Sequence, residues 1–374
     1  MTTKHLTLIP LLMLQLIAFT NVVAQFRIDP SFSTMQDDNI NNDYLSVRDN
    51  ITTFALSSRY AWETDASSLA LSYDGSLHYY QTVVNRTNNA HQLGLLYSHT
   101  SGADGENEFT AAASYELGYN RAEYSFFDHS AFQASTGYKH FLSEDIIGKA
   151  GYSFRSTRFS ALSDFNYAEH AIVSSLSFAL PTQTTVILQG NLGAKFYSSQ
   201  TSSPQTGSMQ RGQIAISPGV TQTAALLRIG QSLAEATGLS ITGQYQWNLQ
   251  KQTRYLSSDY GFVADDELFD DHYGYEGLHT SIMLTHHFSE SWNARLTAGV
   301  QNRVYSALAA YDLEGNELSS QRKDVRSYTA ISMEKGLDLG FTLTATLDVI
   351  RNASNDAYHA YDNTALTLAI GVPF

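Results

Sequence analysis

The sequence predicts an all-β chain closed into a transmembrane, antiparallel up-and-down β-barrel of 16 strands, and three observations carry that prediction. Apolar residues recur at every second position through almost the whole chain. The connections between these stretches alternate between short and long. No segment after Gln25 offers the roughly 18 consecutive apolar residues that a spanning helix requires.

The alternation is cleanest where Leu239, Ile241, Gly243, Tyr245, Trp247 and Leu249 interleave with Ser240, Thr242, Gln244, Gln246 and Asn248. Successive side chains of a strand point to opposite faces, so one face is oily and the other hydrogen-bonding. The same pattern sets Val186, Leu188, Gly190, Leu192, Ala194 and Phe196 against Gln189, Asn191 and Lys195. It also sets Phe341, Leu343, Ala345, Leu347 and Val349 against Thr342, Thr344, Thr346 and Asp348. A wall with lipid outside and water inside averages to a polar composition, and the mean hydropathy lies slightly below zero.

The chain opens with Lys4 and His5, an apolar run from Leu6 to Phe19, and Val22-Val23-Ala24. This is the layout of a secretory signal, so residues 1–24 are expected to be removed and 25–374 to form one barrel domain. Removing that segment takes away Lys4 and no acid, leaving 21 basic residues against 36 acidic ones. Such a balance argues against nucleic acid as a partner. The absence of cysteine excludes disulfides and a lipid-modified cysteine.

Short connections are expected at 64–67, 101–106, 143–145, 181–183, 234–237, 289–291 and 335–338. Longer polar ones are expected at 83–90, 121–128, 160–166, 199–220, 253–276, 307–321 and 353–360. Phe26–Met35 supplies a first strand, with Gln36–Asn50 as its loop. If that segment is instead a plug or tail, the count falls to 14.

The last strand places Leu366, Leu368, Ile370, Val372 and Phe374 on one face. This resembles the C-terminal insertion signal of bacterial outer-membrane β-barrel proteins, an aromatic terminus preceded by apolar residues at alternate positions. Pro373 departs from the pattern, although a chain end tolerates its missing donor. The resemblance implies recognition by the barrel-assembly machinery and residence in the bacterial outer membrane among lipid and lipopolysaccharide. It also implies that short turns face the periplasm and long loops the exterior. A homo-oligomer is compatible with such a wall.

Aromatic residues near strand ends fit two interfacial girdles. Trp62, Phe178, Phe288, Trp292 and Phe341 lie beside short turns, and Tyr79, Tyr119, Tyr197, Trp247 and Tyr305 beside long loops. If the oily parity meets lipid, the opposite parity puts Arg59, Lys139, Lys149, Arg155, Lys195, Arg228, Arg295 and Arg303 in the lumen. Asp74, Glu108, Glu116, Glu169 and Asp348 join them there. On the lipid face each Arg or Lys at the midplane costs roughly 2–4 kcal/mol.

Opposed basic and acidic walls would then filter small solutes by charge, the porin-like reading. The competing reading is that these residues pair and fill the interior. A polymer-export barrel or surface scaffold is the first alternative function, and a barrel-embedded hydrolase the second.

The run Asp265-Asp266-Glu267 with Asp270-Asp271-His272 reads as a solvated acidic loop, since it lacks the register of a calcium-binding hand. His286-His287 point to opposite faces, and Asp128-His129-Ser130 lacks an activating framework. Neither a catalytic site, a metal site nor a cofactor is therefore expected.

Overall fold

The computed structural model describes residues 23–102, 105–198, 219–250 and 272–372. The first eight strands are β1 Val23–Asp37, β2 Asp49–Glu63, β3 Ser67–Tyr80, β4 Asn88–Ser101, β5 Asn107–Asn120, β6 His129–Ser143, β7 Ile146–Phe159 and β8 Tyr167–Leu180. The second eight are β9 Thr184–Tyr197, β10 Gly219–Ala234, β11 Thr237–Asn248, β12 Gly277–Ser289, β13 Trp292–Tyr311, β14 Glu317–Gly336, β15 Thr342–Ser354 and β16 Tyr361–Gly371. Every strand pairs antiparallel with its chain neighbours, and β1 pairs with β16, which closes the ring. The 16-strand barrel is thus the fold, and Phe26–Met35 lies within its first strand. Among the described residues no helix is long and apolar enough to cross a membrane.

Closure is what a hydrocarbon environment demands, because each N–H and C=O must find a partner within the wall. The β1–β16 seam runs from Ser31 opposite Gly371 to Asp37 opposite Ala365, and the Val372 N–H donates to Pro30 O at 3.0 Å. With seven paired residues this is the shortest ladder among the described residues; β1–β2 has fifteen and β11–β12 ten. Leu366, Leu368 and Ile370 take the apolar parity of β16, beside Gln36, Thr34 and Phe32 of β1. Phe374 lies outside the described residues.

The seven short connections stand at one end of the barrel and the long ones at the other, as the sequence predicts. The connection between β13 and β14 is shorter than expected. The polar stretch after Ala307 stays in the sheet, with Ala309 opposite Gln321 and Tyr311 opposite Glu317. The turn is only residues 312–316. There the Asn316 N–H and side-chain amide donate to the Asp312 carboxylate at 2.7 and 2.8 Å, and Gly315 adopts a φ of 81° that disfavours a side chain.

Parity sorts the two faces. Phe54, Tyr60 and Trp62 stand in register with Leu77, Leu71 and Leu69, and Phe54 is 52% exposed. The opposite parity buries Ala61 against Ala70. The apolar band is therefore the outer surface, and its residues remain accessible because no other described residue covers them. The Phe32–Phe54 and Tyr60–Trp62 ring pairs add edge-on contacts along this band.

Candidate lumen site

All the charged residues expected inside do fall on the inner parity. Arg59 stands between Arg27 and Ser72, Asp74 opposite Ser57, and Glu116 between Gln92 and Ala131. Glu108 faces Lys139, which faces Lys149; Arg155 faces Glu169, which faces Lys195. Arg228 faces Thr242, Arg295 lies between Thr285 and Ser332, Arg303 faces Asp324, and Asp348 lies between Ala330 and Ala365.

The expected division into a basic and an acidic wall is not found. Cations occupy β2, β6, β7, β9, β10 and β13, with acids interleaved on β3, β5, β8 and β15. Neighbouring strands favour opposite charges in register, and Lys139 Nζ meets Glu108 Oε2 at 3.1 Å. The division runs along the barrel axis instead.

Toward the short-turn end, Arg27 binds Asp29 at 2.7 Å and Lys139 binds Glu108. Arg59, Lys149, Arg228 and Arg295 are exposed there, and among the described residues none has an acidic group within ion-pair distance. Each lies within six residues of the short-turn end of its strand. Three further acids share this face: Glu63 ends β2, Asp348 lies six residues from the short-turn end of β15, and Glu334 accepts from Asn293 at 3.0 Å. The lower lumen therefore carries an excess of positive charge on strands spread around the ring.

Toward the long-loop end the cations are covered. Residues 272–276, which contain the short 3-10 turn His272–Gly274, fold against the inner face of β8 to β13. Gln222 donates to the carbonyls of His272 and Tyr275 at 2.6 and 3.2 Å, and Gln246 to the same two at 3.1 and 3.0 Å. The Tyr273 hydroxyl donates to Glu169 at 2.8 Å, and Gln301 donates to the Tyr275 hydroxyl at 2.9 Å. Glu276 then exchanges backbone hydrogen bonds with Val304 and rejoins the wall.

A Cβ at Gly193 would fall inside van der Waals contact of the Tyr273 hydroxyl, so the close approach needs glycine. Lys195 is 2% exposed, with Nζ 3.9 Å from the Tyr167 ring centre. Arg303 lies 4.7 Å from the Tyr275 ring and Arg322 4.1 Å from the Tyr305 ring. Tyr–cation stacking of this kind stabilises charges withdrawn from water.

This corrects two expected girdle residues. Tyr197 and Tyr305 have inner parity, are 8% and 2% exposed, and serve as buried ring faces; Lys195 lies over Tyr197 as well. Tyr79, Tyr119 and Trp247 do lie on the exposed outer band, as do Phe288 and Trp292 at the other end.

Asp128, His129 and Ser130 do not form one constellation. His129 points inward, 3.4 Å from Glu116 Oε1, while Ser130 has outer parity opposite Leu117 and Arg158. The Asp128 carboxylate accepts the Asn120 N–H. Of the acidic run before His272, only His272 lies within the described residues.

No protein-family model matches the sequence, and no curated protein matches it. Among solved structures, the fold is similar to Pseudomonas aeruginosa OccK8 (OprE), at 10% identity and a TM-score of 0.52 over 94% of this chain and 98% of that one. It is similar to Acinetobacter baumannii OccAB1 at 9% identity and a TM-score of 0.51, over 94% and 96%. The outer membrane protein opdK from Pseudomonas aeruginosa matches at 9% identity and a TM-score of 0.50, over 94% and 99%. At such identities the likeness concerns the architecture.

Proposed function

We propose that this protein is a channel of the bacterial outer membrane that passes small solutes and favours anionic ones. The observation that carries the reading is the set of four exposed cations, Arg59, Lys149, Arg228 and Arg295, without an acidic partner among the described residues, inside a closed wall whose outer band is apolar. Fixed charge on the low-dielectric wall of a water-filled lumen raises the local concentration of counter-ions, so anions enter more readily than cations. The short-turn end faces the periplasm in this arrangement. The covered segment on β8 to β13 narrows the exterior half and leaves the lower half to select by charge. Kinship of architecture with an outer membrane protein supports the location.

Reconstitution in planar bilayers under a potassium chloride gradient tests this. Discrete conductance steps with a reversal potential on the chloride side are expected. A silent bilayer, or a reversal potential on the potassium side, would refute the reading. Lipid, lipopolysaccharide and the assembly machinery are the expected partners of the outer band and the terminal strand.

A further inference from the structure

At the long-loop end of the β16–β1 seam, the connection 38–48 folds into a buried polar cluster organised by Asn39, which is 0% exposed. The Asn39 side-chain amide donates to the carbonyls of Asp43 at 2.7 Å and Asp362 at 3.2 Å. The Asn39 main-chain carbonyl accepts from the Asn363 amide at 3.0 Å, and that amide also donates to Asn42 Oδ1 at 2.9 Å.

Three carboxylates are buried here: Asp37, Asp43 and Asp49, at 8%, 0% and 1% exposure. Asp37 and Asp43 lie within electrostatic reach of the buried Arg86, whose guanidinium stacks 5.3 Å from the Tyr80 ring and donates to Asn41 at 2.6 Å. His359, the other cationic candidate nearby, is held by Asp356 at 2.9 Å. Negative charge therefore exceeds positive in a site withdrawn from water, and such charge requires a counter-charge.

The carboxylates differ in how they are satisfied. Asp49 accepts four backbone N–H groups, from Asn50, Gln81 and Thr82 on Oδ1 and from Val83 on Oδ2, at 2.7 to 3.1 Å. Asp43 Oδ1 accepts from Leu45 and Ser46 at 2.9 and 3.3 Å, but its Oδ2 is buried with no hydrogen-bond partner. Asn363 Oδ1, on a residue 5% exposed whose amide nitrogen reaches into the same cluster, is also buried without one. Two bare oxygens, one of them on a carboxylate, are the donor type a hard cation takes; Nε of the buried Arg86 is likewise without a hydrogen-bond partner among the described residues.

We propose that Asp43 Oδ2 and Asn363 Oδ1 bind a divalent cation of the calcium type, tying the connection 38–48 to β16 and clamping the seam at its outer end. Main-chain oxygens and water complete the shell. So few side-chain ligands imply a dissociation constant on the order of 10⁻⁴–10⁻³ M, the range of extracellular calcium modules. Burial raises the Asp43 carboxyl above its ordinary value, so a proton competes with the metal and binding weakens as pH falls. The site stands whether or not the lumen conducts.

The test uses the full chain refolded in detergent, with Asp265, Asp266 and Glu267 changed to Asn, Asn and Gln so that this acidic run does not contribute. Terbium luminescence sensitised by tyrosine, displaced by calcium, reports binding; melting with calcium or with chelator reports the clamp. Calcium is expected to raise the melting temperature, and Asp43→Asn to weaken terbium binding at least tenfold and abolish the calcium increment. Asn363→Ser, a second route should the first variant fold poorly, is expected to weaken binding several-fold. Asp312→Asn, in an exposed turn, should leave both signals unchanged. The proposal is overturned if the parent shows no calcium increment, or if Asp43→Asn melts as high in chelator as the parent does in calcium. The second result would mean that the carboxyl is simply held as a neutral acid.

Discussion

The two halves of the lumen carry the same residue types on the same parity and use them in opposite ways. In the lower half Arg59, Lys149, Arg228 and Arg295 stand exposed and without acidic partners among the described residues. In the upper half Lys195, Arg303 and Arg322 are buried against tyrosine rings: Tyr167 and Tyr197 of the wall, Tyr275 of the inward segment 272–276, and Tyr305 of the wall. The contrast teaches that facing inward does not make a charge available to solute. What decides is whether another part of the chain lies over it.

The largest expected effect breaks the comparison at its lower side. Changing Arg59, Lys149, Arg228 and Arg295 together to Gln should move the reversal potential to zero or past it toward potassium, since Glu63, Glu334 and Asp348 then dominate. Lys195→Met together with Arg303→Met should leave the reversal potential within a few millivolts of the parent. If the second pair shifts it as far as the first set, the distinction between the halves fails.

Next in size, Gln222→Ala with Gln246→Ala removes the donors that hold the His272 and Tyr275 carbonyls. Leaving buried carbonyls unpaired costs about 1–3 kcal/mol each. The melting temperature should fall and the single-channel conductance should rise as the covering segment loosens. Unchanged conductance would show that this segment does not narrow the passage.

The smallest change, Gly193→Ala, pushes the Tyr273 hydroxyl off Glu169 while every charge and glutamine is kept. Tyr273→Phe should reproduce most of its effect on conductance, because both lose the same hydrogen bond, worth about 1.5–3 kcal/mol to a charged acceptor. Divergence between the two would assign the effect of the alanine to strain in β9.

Much of this was legible in the sequence, for a physical reason. A strand has period two and lipid penalises charge, so the alternation within each strand predicts both the wall and, from the apolar neighbours Leu227 and Ile229 of Arg228 and Leu296 of Arg295, the inward direction of those two cations. Alternating connection lengths carried the topology, including the first strand. Coverage was not legible. Gln222, Gln246 and Tyr273 meet across 26 to 104 residues of sequence, and no local pattern announces that Tyr273-Gly274-Tyr275 turns inward.

Nearness to strand ends, the criterion that puts Tyr197 and Tyr305 in a girdle, is blind to parity. Their odd positions, shared with Lys195 and Arg303, already marked them as inner. The outer part of the β13–β14 hairpin reads as loop in the sequence because it is a polar stretch beyond the membrane band, although its backbone remains paired.

The brevity of the β1–β16 ladder has a consequence for how the cylinder comes apart. A ring has no free border from which to fray, so disassembly must first breach one whole row of hydrogen bonds, and the row with the fewest rungs yields soonest. The first and last described strands meet along that row, so heat and mechanical pull should both unzip the molecule between β1 and β16.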